Sequence, residues 1–215
     1  MSFPFRVLKS RNIYFKAVYA EHTALKLKET FLTPEEIERF DSFKLEKRKR
    51  QWLAARYAAK SAVAEAENDR TFFMKPLEYD WTGRPVLDGR LVSLSHSGPW
   101  AVAAYKKGSL FTGVDIEQIR DRFGGWYERY FLPEELPQGP EPESATSVWT
   151  RKEAALKALG LGLTVSLLSV NASSGGIRFT GKSLDRWTEM GRPGFTADTF
   201  NFAGGFIVTV VASEA

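Results

Sequence analysis

Apolar and polar residues follow two different periods along the first third of the chain. Residues 12–20 alternate closely enough to predict a first strand. From about residue 45 to residue 67, apolar side chains recur with the helical period and predict one long helix. Between these stretches, Thr33, Pro34 and Glu36 have the pattern of a helix start, with Thr33 as N-cap and Glu36 at the capping-box position.

The same succession of patterns recurs later in the chain. A strand is predicted around Gly113, and a helix runs through Trp149 to a glycine C-cap at Gly160. Further predictions are a short helix at residues 126–131, a surface loop at residues 137–144, and strands at residues 100–105, 167–170, 177–180, 195–202 and 206–211. We therefore predict an α+β protein.

A turn at residues 106–109 lies near the midpoint of this succession. No sequence repeat is visible across it, yet the order of elements before and after it allows two similar lobes. We place an N-terminal lobe at residues 1–107 and a C-terminal lobe at residues 108–215.

Four charged residues of the second half are spaced for joint chemistry. Asp115 and Glu117 lie on one face of the predicted strand, roughly 6 to 7 Å apart, while their apolar neighbours face the core. Glu153 and Lys157 lie four residues apart and share one helix face. If helix and strand pack together, three carboxylates and one lysine converge.

Carboxylates gathered in this way repel one another, and a divalent cation relieves the repulsion. Oxygen ligands favour Mg²⁺, with Mn²⁺ as a second possibility, and a nearby lysine suits a phosphate substrate. The spacing also fits a plainer interpretation, in which the two acids end an edge strand and Glu153 and Lys157 form a solvated helix pair.

A basic run at residues 47–50 opens the long helix. Lys49, Arg56 and Lys60 fall within roughly 40° of one another beside its apolar stripe, which a bound phosphate would explain. The alternative is a solvated basic turn. Residues 81–85 similarly have the sequence of a turn, whose simplest role is to connect two strands.

Composition excludes several classes of protein. The chain is 43% hydrophobic and 26% charged, as expected for a globular protein, and it has no cysteine for disulfides or thiolate chemistry. No apolar run has the length of a membrane span, and the N-terminus lacks a signal-peptide core. Adjacent residues on a strand face opposite ways, so Ser95 and Ser97 are poorly placed to use His96 as a base. The net charge of +4 suggests an anionic partner.

The two motifs together resemble a known family. Residues 113–117, Gly-Val-Asp-Ile-Glu, followed by residues 149–157, Trp-Thr-Arg-Lys-Glu-Ala-Ala-Leu-Lys, are similar to the paired signature of the Sfp-type 4′-phosphopantetheinyl transferases. The resemblance implies a pseudo-twofold fold of two similar lobes, each an antiparallel sheet with packed helices, and an active site in the cleft between them. It also implies Mg²⁺-dependent transfer of the 4′-phosphopantetheine arm of coenzyme A to a serine of an apo carrier protein, with release of adenosine 3′,5′-bisphosphate.

The resemblance also implies a role for each matching residue. Asp115, Glu117 and Glu153 would bind the metal, with Asp115, Glu153 and Lys157 as catalytic residues and Glu153 as the candidate base. The residues expected to contact coenzyme A are Arg50, Arg56, Gly83, Arg84, Pro85, Ser95, His96 and Lys157.

Other functions stay open on the sequence alone. One is a non-catalytic module that binds coenzyme A or a carrier protein, and another is a nucleic-acid-binding protein that uses the basic run. For the transferase we expect apo acyl or peptidyl carrier proteins as partners, no role for nucleic acid or membrane, a monomer, and a cytoplasmic location.

Overall fold

The chain divides between Gly108 and Ser109 into two units, here called unit 1 and unit 2. The computed structural model describes residues 12–173 and 176–214, so the prediction made for the N-terminus lies outside the described residues. Within these ranges, no helix is both long enough and apolar enough to cross a membrane.

Unit 1 consists of a three-stranded sheet, a smaller sheet and one long helix. Its strands are β1 (Ile13–Tyr19), β2 (Leu77–Tyr79), β3 (Pro85–Leu87), β4 (Arg90–Leu91), β5 (Ser93–Ser97) and β6 (Trp100–Lys106). Its α-helices are α1 (Lys28–Phe31), α2 (Pro34–Asp41) and α3 (Glu46–Glu67), and its 3-10 turns are Ala20–His22, Leu25–Leu27 and Arg70–Met74. The main sheet is antiparallel in the order β1-β6-β5, and β2, β3 and β4 form the smaller one.

The apolar stripe of α3 packs against β1 and β6, as the helical period predicts. Leu53, Ala59 and Val63 of this stripe are completely buried. The predicted capping box at the start of α2 is confirmed, because the Thr33 hydroxyl accepts from the Glu36 backbone N–H while the Glu36 carboxylate accepts from that of Thr33.

Unit 2 has a second three-stranded sheet under a second long helix. Its strands are β7 (Thr112–Gln118), β8 (Val170–Asn171), β9 (Arg178–Phe179), β10 (Phe195–Phe202) and β11 (Phe206–Ser213). Its α-helices are α4 (Trp126–Tyr130), α5 (Pro142–Ala158) and α6 (Gly181–Glu189), and its 3-10 turns are Pro133–Glu135, Gly162–Thr164 and Leu167–Ser169. The sheet is antiparallel in the order β10-β11-β7, β8 pairs with β9, and α5 packs on β7 and β11.

Three local predictions for unit 2 are wrong. Residues 142–144 belong to α5 and not to a loop, because Pro142 occupies the first helical turn, where proline is tolerated. Residues 167–169 form a 3-10 turn, and only Val170 of the predicted strand pairs in a sheet. The helix α6 is absent from the sequence prediction, since its nine residues begin at a glycine without a side-chain cap.

The two units repeat one topology, which confirms the prediction of an α+β fold with two similar lobes. In the main sheet of unit 1, β6 lies between β1 and β5, and in that of unit 2, β11 lies between β7 and β10. The long helix packs on β1 and β6 in unit 1 and on β7 and β11 in unit 2. The fourth residues of the first strands, Lys16 and Asp115, pair with Ala103 and Thr209 of the central strands. These positions therefore correspond between the units.

A buried ion pair is also repeated. In unit 1, Lys60 of α3 is fully buried, lies 2.5 Å from the Glu36 carboxylate and donates to two backbone carbonyls. In unit 2, Lys152 of α5 is fully buried and lies 2.5 Å from the Glu135 carboxylate. Glu36 also accepts hydrogen bonds from the backbone N–H groups of Thr33 and Leu77. Glu135 likewise accepts from those of Leu132 and Ala172.

The ion pair exposes a short sequence repeat that the sequence analysis did not find. Residues 31–36 read Phe-Leu-Thr-Pro-Glu-Glu and residues 131–135 read Phe-Leu-Pro-Glu-Glu. The last glutamate of each segment is the partner of the buried lysine. This pairing explains why Lys60 lies beside the apolar stripe of α3.

Candidate active site

Strand β7 and helix α5 approach each other very closely at Gly113. A Cβ atom at this position would lie 1.8 Å from the backbone oxygen of Ala154 and 2.7 Å from the nitrogen of Ala158. Only glycine fits, since any side chain would push the helix away from the strand. Because Asp115 lies two residues further on the same face, the close approach places its carboxylate directly under α5.

Lys157 links the acids of the strand and the helix. Its ammonium group lies 2.7 Å from Asp115 Oδ1 and 3.9 Å from Glu153 Oε2, and it also donates to the Val114 carbonyl at 3.1 Å. Asp115 is 1% exposed and Glu153 is 9% exposed. The convergence of Asp115, Glu153 and Lys157 expected from their spacing is therefore present.

The environment of Glu153 changes its protonation. Burial raises the pKa of its carboxyl group, the charge of Asp115 raises it further, Lys157 opposes them, and Glu117 adds a smaller rise, so that the pKa is about 7. Glu117 itself lies 3.9 Å from Arg122 and is about a quarter exposed at the open end of the cluster. Near neutral pH, Glu153 can thus either hold or release a proton.

The chemistry of these side chains fits a hard divalent cation. They offer only carboxylate oxygens, and the charges of Asp115 and Glu117 both disfavour an ionised Glu153, which a cation between them would favour. In the described part of the chain, however, no three acidic or histidine side chains are already arranged as a metal site. The Lys157 ammonium lies between two of the acids instead.

A second candidate site lies entirely within unit 1. A cavity of about 850 Å³ is bounded by α2, α3 and the strands β2 and β5, and its lining includes Arg56, Ser95 and His96. These are three of the residues predicted to contact coenzyme A. Its volume is in the usual range for ligand sites, about 300 to 1,000 Å³.

Arg56 is held at this cavity by an aromatic residue on either side. Its guanidinium carbon lies 4.1 Å from the centre of the Trp52 ring, and Nη2 donates to the Tyr79 hydroxyl at 3.1 Å. Its Nε is 4.0 Å from Glu36 Oε1 and has no hydrogen-bond partner among the described residues. A buried guanidinium with an unused donor at a cavity is suited to bind an anion.

Of the other residues predicted to contact coenzyme A, Lys157 belongs to unit 2, and the remaining four lie elsewhere in unit 1. Arg50 pairs with Glu46 at 2.6 Å and donates to the Thr23 carbonyl at 2.7 Å, beside a smaller cavity of about 390 Å³. Arg84 pairs with Asp80 at 2.9 Å across the turn. The turn's glycine, Gly83, has a φ of +84°, and Pro85 begins β3.

Sequence reasoning missed the residues that hold Arg56. Trp52 belongs to the apolar stripe of α3, and it also lies one helical turn before Arg56, which is the spacing of a stacked pair. Glu36 was interpreted only as a helix cap. Its contact with Lys60, and the approach of Tyr79 from β2, depend on tertiary packing and left no signal in the sequence.

The segment that contains the acids and Lys157 of unit 2 is similar to known proteins. Residues 112–190, which include Asp115, Glu117, Glu153 and Lys157, match the 4′-phosphopantetheinyl transferase superfamily. The family resemblance of the two motifs is confirmed. The superfamily match covers β7 and α5, the two elements that form the cluster.

Individual relatives match only part of this chain. A 4′-phosphopantetheinyl transferase of Bacillus pumilus is 34% identical over 104 residues, which are 44% of each chain. A holo-[acyl-carrier-protein] synthase of Aliarcobacter butzleri is 39% identical over 49 residues, which are 22% of this chain and 42% of the relative. The chain thus spans less than half the length of the curated relatives it matches.

Among solved structures, the holo-[acyl-carrier-protein] synthase of Helicobacter pylori in complex with coenzyme A is similar to part of the chain. The likeness has a TM-score of 0.39 and a sequence identity of 24%, and it covers 48% of this chain and 99% of the other.

Proposed function

We propose that this protein transfers the 4′-phosphopantetheine arm of coenzyme A to a serine of an apo acyl or peptidyl carrier protein. The observation that supports this most is the buried cluster of Asp115, Glu153 and Lys157, which lies within the segment that matches the superfamily. Two acids that share one lysine, with a third acid near them, suit a reaction at a pyrophosphate.

In the proposed reaction, the serine oxygen attacks the β-phosphorus of coenzyme A. The bond from that phosphorus to the bridging oxygen breaks, and adenosine 3′,5′-bisphosphate leaves with the bridging oxygen. Such reactions depend mainly on alignment and on neutralising charge. Lys157 donates to the phosphoryl oxygens, and Glu153 accepts the serine proton. A bound cation would favour the ionised form of Glu153, which is the form that accepts a proton.

Asp115, Glu117 and Glu153 would hold Mg²⁺, or Mn²⁺ in its place. When bound, the ion would neutralise negative charge on the pyrophosphate. The carboxylate-only donor set and the raised pKa of Glu153 support this assignment.

For the nucleotide end of coenzyme A we propose the cavity of unit 1. Arg56 has an unused buried donor there, and Ser95 and His96 line the same cavity. The proposed contacts of Arg50, Gly83, Arg84 and Pro85 rest on the sequence resemblance. A monomeric state and a cytoplasmic location also remain proposals.

The direct test is incubation with coenzyme A, Mg²⁺ and a panel of apo acyl and peptidyl carrier proteins, followed by intact-mass measurement. We expect one carrier to gain the mass of the transferred arm, and a carrier whose acceptor serine is replaced by alanine to gain none. Chelation of divalent metal should stop the reaction. Binding of coenzyme A without modification of any carrier would contradict the proposal and indicate a non-catalytic module.

A further inference from the structure

Three hydrogen-bonded threonine hydroxyl groups lie beneath α5 in unit 2. The Thr150 hydroxyl lies 2.8 Å from that of Thr209, which lies 3.0 Å from that of Thr199. Arg151 Nε donates to the Thr199 hydroxyl at 3.0 Å. Thr150 and Thr209 are both completely buried. The helix is therefore tied to the sheet by hydrogen bonds as well as by apolar packing.

The hydrogen bond at Thr150 determines which hydroxyl group donates and which accepts in the whole series. Thr150 donates its proton to the Ser147 carbonyl at 3.0 Å, so its oxygen is left to accept from Thr209. Thr209 can then accept from Thr199, which accepts from Arg151. Every hydroxyl donates once and accepts once, and hydrogen bonds in such a chain strengthen one another.

This series of hydroxyl groups lies immediately beside the acid cluster. Thr209 is the register partner of Asp115, and side chains of paired residues project from the same face of a sheet. Thr150 lies on the helix three residues before Glu153, so the two share a helix face. One end of the hydrogen bond is thus next to Asp115, and the other is one turn from Glu153.

Unit 1 shows that packing alone does not require these hydroxyls. Counted from the corresponding buried lysines Lys60 and Lys152, Thr150 corresponds to Ala58. Ala103 corresponds to Thr209, and its register partner Leu94 corresponds to Thr199. Helix α3 therefore packs on its sheet with apolar residues at all three positions.

We propose that Thr209, through its hydrogen bond to Thr150, is a positioning residue that holds α5 at a fixed distance above β7 and keeps Glu153 beside Asp115. The role rests on the proposed transfer reaction. Carboxylates on the helix and on the strand repel each other across this contact. The hydrogen bond joins the helix to β11, the strand paired with β7, and so opposes that repulsion where apolar packing would let the helix shift.

The test compares Thr209→Val with two other variants. Thr209→Val keeps the shape of the side chain and removes its hydrogen bonds to Thr150 and Thr199, whereas Thr209→Ser keeps a hydroxyl at the same place. Thr112→Val is the matched control, because the Thr112 hydroxyl on β7 is buried and makes no hydrogen bond within the described residues. Carrier modification, the KM for coenzyme A and amide hydrogen exchange of α5 are measured for each.

We expect Thr209→Val to lower kcat about tenfold or more, since a small misplacement of a catalytic group is costly. The KM for coenzyme A should change less than about twofold, and exchange of α5 amides should quicken relative to Thr112→Val. Thr209→Ser should restore kcat. Thr150→Val should also lower kcat, and the double variant should lose less than the two single losses combined, because both single variants remove the bond between Thr150 and Thr209.

Two results would overturn the proposal. One is a Thr209→Val enzyme with the wild-type kcat, and the other is a loss of kcat and of α5 protection no larger than that of Thr112→Val. If Thr209→Val does not fold, the same comparison is made with Thr150→Val. Absence of transfer by the wild-type protein would instead contradict the proposed function, and the exchange data would still report whether the bond holds α5.

Discussion

Units 1 and 2 share one topology but differ in the residues at the positions of the candidate active site. The central ion pair of unit 2 joins Asp115 on the strand to Lys157 on the helix, and unit 1 has the reverse pair, Lys16 on the strand and Glu65 on the helix. Glu65 and Lys157 correspond, since each follows its buried lysine by five residues. The contact between strand and helix is thus ionic in both units, with its charges exchanged.

The corresponding positions of unit 1, all among its described residues, do not carry a cluster of acids. Counted in the same way, Ser61 corresponds to Glu153 and Val18 to Glu117. Tyr14, which packs against the core, corresponds to Gly113, where β7 and α5 nearly touch. Both units therefore have the same arrangement of sheet and helix. They differ in a few side chains on one strand and one helix face, and in unit 2 these side chains are the proposed reactive groups.

The largest expected effect is on turnover. Asp115→Ala should lower carrier modification by about a thousandfold or more, because a proposed ligand of the cation that would neutralise the reacting phosphate is lost. The variant should remain folded, since it also relieves the repulsion of Glu153. Lys16→Ala, at the corresponding position of unit 1, should keep the wild-type rate in the same assay. Equal losses in both variants would contradict the functional difference between the units.

The buried lysines should matter equally in the two units. Lys60→Met and Lys152→Met each remove the lysine that pairs with a buried glutamate and should each lower the free energy of unfolding by about 3 to 5 kcal/mol. Denaturant titration measures this, with the exposed Lys26→Met as control. A loss in only one unit would show that the repeated pair is not structurally equivalent.

The close approach in unit 2 can be tested by adding one carbon atom. Gly113→Ala should destabilise the protein by about 3 kcal/mol, because the new Cβ meets backbone atoms of α5 that cannot move aside. Gly194→Ala is the control, since its nearest neighbour is the flexible end of the Glu214 side chain at 2.8 Å. The midpoints of thermal unfolding are compared, and equal midpoints would contradict the account of Gly113.

The smallest predicted effect belongs to the turn of unit 1. Burial alone would raise the pKa of Asp80, but hydrogen bonds from Thr82 and Arg84 outweigh it and lower the pKa from 3.8 to about 2. Its ionised form therefore stabilises the fold above about pH 4, and this contribution of about 2 kcal/mol is lost as the pH falls toward 2. Asp80→Asn should be less stable than wild type at pH 6, and the difference should disappear near pH 2. A difference that is constant with pH would rule out this role of Asp80.

Many of the helices and strands can be predicted from local sequence patterns. The apolar stripe of α3, the capping box at Thr33 and the strand at Gly113 are short-range patterns, and the structure has each of them. The motifs also place Asp115, Glu153 and Lys157 correctly relative to one another, because strand alternation and the i, i+4 helix spacing fix the faces on which they lie.

What the sequence did not predict depends on contacts between distant residues. Lys60 has the same local pattern as a solvent-facing lysine, and only the packing of α2 against α3 brings Glu36 to it. The support of Arg56 by Tyr79, and the hydrogen bond between Thr150 and Thr209, likewise join residues more than 20 positions apart. The Phe-Leu-Pro-Glu-Glu repeat is too short to stand out until both glutamates are seen to bind a lysine.

The central claim is that the acid cluster of unit 2 performs the chemistry while coenzyme A can bind without it. The most direct measurement is made on Glu153→Gln, with coenzyme A binding followed by calorimetry and carrier modification by intact mass. The account predicts binding within about threefold of wild type, because the proposed contacts of Arg56 and Lys157 with coenzyme A remain, and no modified carrier, because the proton acceptor is lost. A Glu153→Gln protein that modifies its carrier at the wild-type rate would contradict it.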